Sequence, residues 1–200
     1  MATQNNLEIF LGGFAKAFNE QWQVDLRLKA GDSDESSAIS AHKLVLAARS
    51  EVFKKMLESD TLKAKVGQIE TVTLSELKQE ELEALVEFIY NNRSVLSEKE
   101  KKHVQTLFVA ADKYDIPHLR DLCRKQLLSS LKVANAISIL ELSLIPFDKA
   151  LHNSAAMFVL RNLLAICNTV EFKLFVGKNP DLTVEIMKSS QTRMWKNSYF

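Results

Sequence analysis

HKLVLAARSEVFKKM, residues 42–56, is the stretch whose reading decides the fold of this chain. Leu44, Val45, Ala48, Val52 and Phe53 recur at helical spacing, and Met56 and Leu57 extend the apolar set. The period predicts one amphipathic helix from residue 42 onward. Upstream, Val24-Asp25-Leu26-Arg27-Leu28 alternates apolar and polar, the pattern of a half-buried strand. Gly31-Asp32-Ser33-Asp34-Glu35-Ser36 reads as a polar loop whose acids solvate a turn, without the spacing of an EF-hand. Ala38-Ile39-Ser40 reads as a second strand that completes a hairpin. Downstream, residues 58–68 form a polar loop, and residues 69–74, with Thr71, Val72 and Thr73, read as a third strand.

Helical periods follow. Ser75 stands where it can cap a helix carrying Leu82, Leu85, Val86 and Ile89 at i, i+3, i+4 and i+7. Ser97 and Glu100 have capping-box spacing ahead of Val104, Leu107, Phe108 and Ala111. Pro117 opens a further helix, with Ile116, Leu119, Leu122, Cys123 and Leu127 on one face. From residue 131 onward only helices are expected, over 133–144, 147–166 and 170–176, before a polar tail at 189–200. At the other end, Leu7, Phe10, Leu11, Phe14 and Phe18 make an aromatic helical stripe, weakened by about 1 kcal/mol at each of Gly12 and Gly13. Such a stripe has to pack on its own domain or on a second copy of it. The expected class is α+β, a small three-stranded sheet against a helical cluster with an all-α extension.

The composition agrees and excludes other classes. Among 200 residues there are only 5 glycines and 3 prolines, against roughly fourteen and ten at average usage. A strand-rich barrel with many tight turns is disfavoured, and so is a glycine-rich phosphate loop. A formal net charge of +1 supplies no electrostatic footprint for nucleic acid. No run approaches the roughly 18 apolar residues of a membrane span, and the N-terminus has no secretory pattern. The chain is expected in the cytoplasm, the nucleus or both.

The residues assemble no enzyme. His42, His103, His118 and His152 have no H-x-x-x-H spacing among them. His42 begins a helix, and the other three sit among polar neighbours, where surface positions are expected. Cys123 and Cys167 lie on apolar stripes, as buried small side chains do in a reducing compartment. There is no GxSxG elbow, phosphate loop or GxGxxG. No catalytic residue, metal site or cofactor is expected.

The stretch at 42–56 resembles the signature of the BTB/POZ family, and the supporting segments come in family order. Val24-Asp25-Leu26 is similar to the family's first core strand. Ile39-Ser40-Ala41-His42 is similar to the strand leading into the signature helix, and Thr71-Val72-Thr73-Leu74 to the third strand. LVEFIY (85–90), AADKY (110–114) and LRDLC (119–123) resemble its later helices. The resemblance covers residues 7–128. The part from about 129 to 188 is similar to the truncated BACK-like helical extension of speckle-type MATH–BTB adaptors, without a MATH segment ahead of it.

The resemblance implies an interaction module that forms homodimers and, in many members, recruits cullin-3 to a ubiquitin ligase. It divides the chain into a dimerisation helix (1–23), the BTB domain (24–128), the extension (129–188) and the tail (189–200). It implies a dimer interface at Leu7, Phe10, Leu11, Phe14, Phe18, Asp25 and His42, and a cullin-binding set at Leu62, Tyr90, Asp112 and Tyr114. Cullin binders often carry an apolar-x-Glu motif before the third strand; here it reads Leu62-Lys63-Ala64, with alanine in the glutamate's place. An unknown protein substrate is expected on the extension or on the tail around Trp195, Tyr199 and Phe200. The alternative is a scaffold or heterodimerising regulator that recruits no cullin.

Overall fold

Leu26, Leu28 and Ala30 are inaccessible to solvent while Arg27 between them is exposed, so the alternation does form a strand, β1 (Leu26–Ala30). The computed structural model describes residues 2–58, 69–91 and 93–197, and side chains within them except those of 2–8, 11 and 189–197. β1 is central in a three-stranded sheet. β2 (Ile39–Ala41) pairs with it antiparallel, with Leu26 opposite Ala41. β3 (Glu70–Leu74) pairs parallel on the other side, with Leu26 opposite Glu70. The strand starts two residues later than the alternation, although the Asp25 backbone N–H still donates to the Ala41 carbonyl at 3.1 Å.

The polar loop after β1 is structural. A Cβ on Gly31 would lie 2.2 Å from the Ser75 carbonyl oxygen, so only glycine lets the two turns meet. The Gly31 amide donates to the Leu77 carbonyl at 2.9 Å, and Asp32 Oδ1 accepts from the Gln79 amide at 2.9 Å. Asp32 thereby caps α4 (Gln79–Tyr90), the role expected of Ser75. Asp34 caps the short 3-10 turn at Glu35–Ser37, and Glu35 pairs with Lys29.

The expected single helix at 42–56 is two. α2 (Lys43–Arg49) and α3 (Glu51–Glu58) are separated by Ser50 in extended conformation. Buried Ser50 accepts from the Phe53 amide at 3.0 Å, capping α3, and donates its own hydroxyl to the Tyr114 carbonyl. Val45, Leu46 and Phe53 are buried, but Leu44 is 74% exposed and Ala48 is exposed, so these two leave the expected core set.

α5 (Glu98–Lys102) opens with the expected capping box, since the Ser97 amide donates to Glu100 Oε2 at 2.6 Å. α6 (Val104–Lys113) and α7 (Pro117–Ser129) bury the faces read from their spacing, except that Val104 is only half-buried. The chain divides into two compact units, residues 1–123 and 124–200. In the second, α8 (Ala136–Leu142), α9 (Lys149–Arg161), α10 (Leu163–Ile166), α11 (Val170–Lys178) and α12 (Pro180–Asn197) follow. Asn162 breaks the helix expected over 147–166, and α12 carries the backbone on through most of the expected tail. Asp148 caps α9 through the Leu151 amide and holds Arg124 at 2.7 Å. Ile137, Leu140, Leu151, Ala155, Val159 and Phe175 are the buried centre of this unit.

Candidate interaction surface

α1 (Ala2–Asn19) is anchored by its C-terminal half. Phe18 stacks on Tyr90 with ring centroids 4.3 Å apart, and Phe14 is half-buried. Phe10 meets Phe14 edge to face at 5.5 Å but remains 65% exposed, and Ile9 is 68% exposed. The helix thus covers its own domain with Phe14 and Phe18 and presents Ile9 and Phe10 outward. The side chains of Leu7 and Leu11 lie outside the described set.

A hydrogen-bond network fixes that half of α1. His42 precedes α2, and its backbone N–H donates to Tyr90 Oη at 2.7 Å. Its Nδ1 lies 2.8 Å from the same Oη, and its Nε2 lies 2.7 Å from the Trp22 carbonyl oxygen. That carbonyl can only accept, so Nε2 carries the proton, and Nδ1 then accepts from the Tyr90 hydroxyl. Every group in this chain of bonds is satisfied by one neutral tautomer. Trp22 sits in a turn flanked by Gln21 and Gln23, both with positive φ (53° and 57°). Non-glycine residues hold that conformation at a cost of roughly 1–2 kcal/mol each, which the His42 and Phe18 contacts offset. Asp25 Oδ1 accepts from the Lys43 amide at 2.8 Å and caps α2. Asp25 and His42, both expected near a dimer interface, are therefore the groups that join α1, β1 and α2.

Between α1, α2 and α4 lies a cleft of about 160 Å³, lined by Phe14, Leu44, Val45, Ala48 and Ile89 among others. Phe10 touches Phe14, and Phe14 shares the cleft with Leu44. Phe14 of α1 and Leu44 of α2 thus lie around one cleft, with Phe10 against Phe14. Trp22, 66% exposed, lies on the turn bonded to His42. Leu44, Ile9 and Trp22 were absent from the sequence-based set. A large aromatic within the polar run Glu20-Gln21-Trp22-Gln23 was the one readable signal; Leu44 is exposed because α2 buries Val45 and Leu46 instead.

Of the four positions matched to cullin binding, three fall among the described residues. Tyr90 is 3% exposed and belongs to the α1 cluster. Tyr114 is 1% exposed: its ring stacks on Phe53 at 4.7 Å and its hydroxyl donates to Glu76. Asp112 is exposed and ion-paired with Arg120 at 2.8 Å. Leu62 and Ala64 lie outside the described residues, as do the side chains of Trp195, Tyr199 and Phe200.

Burial, then the charge of Glu100, pushes the Cys123 thiol up to about 12. Cys167 is only half-buried, in contrast to the expectation for it. His118 is exposed as expected, but His103 is largely covered, 3.4 Å from Glu80, and half-buried His152 lies 3.1 Å from Ser143 Oγ. Among the described residues no group of three or more His, Cys, Asp or Glu could hold a metal, and no helix is long and apolar enough to cross a membrane.

Residues 14–131 match the family model of the BTB/POZ domain. A BTB/POZ domain-containing protein of Arabidopsis thaliana is 64% identical over 195 residues, covering 97% of this chain and 93% of the relative. A second from the same plant is 56% identical over 190 residues, covering 95% and 85%. The BTB domain of zebrafish PATZ1, a solved structure, is 17% identical with a TM-score of 0.48, covering 64% of this chain and 95% of that one. On the family match and these plant relatives, the chain belongs to the BTB/POZ domain family of protein–protein interaction modules.

Proposed function

We propose that this chain acts as a homodimeric adaptor, using its BTB domain to bring a protein substrate to a cullin-3 ubiquitin ligase. The exposed apolar residues Ile9 and Phe10 of α1 and Leu44 of α2, the last beside the cleft that Phe14 lines, support the dimer part of this reading. Exposed apolar area of that kind on an ordered domain is relieved by a self-complementary partner. The adaptor works by proximity: one surface holds the ligase, another the substrate, and the effective concentration of charged ubiquitin at the target rises. No step of chemistry falls to the chain itself, and no cofactor is required. The second unit offers exposed Ile145, Phe147, Leu164, Val170 and Leu174 to a substrate. Its place of action is the cytoplasm, the nucleus or both.

Light scattering tests the dimer, with an expected mass near twice 22.7 kDa. Phe10→Asp is the informative variant because Phe10 is exposed; it should yield a folded monomer. A wild-type monomer sinks the dimer reading outright. For recruitment, the purified N-terminal region of cullin-3 should bind at micromolar concentration, and Asp112→Arg should weaken it.

One observation favours the second reading, a BTB scaffold that pairs with other BTB chains and recruits no cullin. Tyr90 and Tyr114 spend their side chains inside the domain, and Ala64 replaces a carboxylate worth about 1.5–3 kcal/mol in a desolvated contact. A dimer that leaves cullin-3 in solution selects that reading.

A further inference from the structure

Arg49 ends α2 on the wall of the apolar cleft. Its Nε and Nη2 are buried and have no hydrogen-bond partner. Burial alone pushes the guanidinium below its ordinary pKa. The acids of neighbouring segments are committed elsewhere: Glu20 pairs with Lys16, Glu51 with Lys54, Glu87 with Arg93, and Asp25 caps α2. A partly desolvated cation without an anion is unfavourable, and a carboxylate entering the cleft corrects this at close range and reduced dielectric. The other polar groups on these walls are already used. The Tyr90 hydroxyl is bonded to His42, and Asn91 Nδ2 donates to the Glu87 carbonyl at 2.7 Å. Phe14, Leu44, Val45 and Ile89 give the cleft its apolar lining.

We propose that this cleft is a binding site for a small arylalkyl carboxylate, with the carboxylate on Arg49 and the ring against Phe14, Val45 and Ile89. Volume selects the body of the ligand. The cleft holds about 160 Å³, below the roughly 300–1,000 Å³ of pockets for drug-sized ligands, so one ring on a short linker fills it. The rings of Phe14 and Tyr90 on its walls favour an aromatic body over an aliphatic one. Charge selects the acid. Arg49 is the one charged side chain of the lining, so a single carboxylate is matched. An isosteric amide leaves the guanidinium uncompensated and is rejected. All the lining residues belong to the first compact unit of one chain. The site is therefore complete without a partner, and the inference stands apart from the homodimer reading.

Phenylpropionate titrated into the full chain tests the site by methyl NMR. The Leu44, Val45 and Ile89 signals should shift together, with a Kd of about 0.1–1 mM for a ligand of this size. Phenylpropionamide should bind at least about tenfold more weakly, the loss of one charge-assisted contact. Arg49→Gln should lower the affinity for the acid to that for the amide. Leu44→Glu places an anion at the exposed mouth of the cleft, away from the core, and should weaken the acid by a similar factor. That second variant keeps the proposal testable if Arg49→Gln fails to fold. Equal binding of acid and amide by the wild type overturns the proposal, and so does wild-type affinity in either folded variant. Equal shifts with acetate overturn the arylalkyl class and leave a bare anion site. Titration of Phe10→Asp alongside the wild type keeps self-association from masking the cleft; no methyl shift in either at about 10 mM phenylpropionate overturns the site.

Discussion

The Tyr90 hydroxyl and the His42 imidazole meet at 2.8 Å, and the same hydroxyl takes the His42 backbone N–H at 2.7 Å, across 48 residues of chain. Tyr90 ends α4 and His42 precedes α2, so the two contacts lock those helices where Phe18 of α1 lies over the tyrosine ring. The orientation of the apolar face depends on this junction.

Tyr90→Phe keeps the ring on Phe18 but leaves the His42 amide and Nδ1 without their partner. The expected cost is about 1–2 kcal/mol, the penalty for part-buried polar groups left unpaired. Urea unfolding measures it, and an unchanged midpoint means that the hydroxyl contributes nothing net.

The same phenol predicts alkaline sensitivity. Burial raises Tyr90 from 10.0 to about 12, and burial followed by the Glu76 carboxylate pushes Tyr114 up still further. The native state holds these protons more tightly than the unfolded chain does. Their stabilisation is therefore intact below pH 10 and lost as pH rises from 10 toward 12. Urea midpoints should fall across that window, and Tyr90→Phe should flatten part of the fall. An equal slope in the variant would contradict the assignment.

Ser50 joins two segments through one oxygen, capping α3 and reaching the Tyr114 carbonyl. Ser50→Ala removes both bonds inside the core. We expect a loss of about 1–2 kcal/mol, as for other caps, and a lower melting temperature. Wild-type stability in that variant would show that the break between α2 and α3 needs no side-chain cap.

Thiol chemistry separates the two cysteines. Cys123 is buried, and its thiol stays protonated at pH 8 because its pKa is raised to about 12. Native protein should therefore release one equivalent of reagent, from half-buried Cys167, and denatured protein two. Rapid reaction of two equivalents under native conditions would place Cys123 in a domain that opens readily.

Much of the architecture is set by local pattern. The alternation around Leu26, the box at Ser97 and Glu100, the proline that opens α7 and the face from Ile116 to Leu127 are each decided within a few residues by strand or helix period and by capping. The stripe on α1 was legible for the same reason. What local pattern could not supply was which half of that stripe the domain covers. Phe18 is satisfied by Tyr90, which comes from a segment far along the chain, and Phe10 is not.

The BTB signature at residues 42–56 and the shortage of glycine and proline determined the family and the α+β class from the sequence alone. Only tertiary structure decided that Ser50 divides the signature helix, because its hydroxyl partner is the Tyr114 carbonyl. It likewise decided that Leu44 faces out and that Tyr90 and Tyr114 face in. Each of these depends on pairings between distant segments, which a period of two or 3.6 residues does not encode.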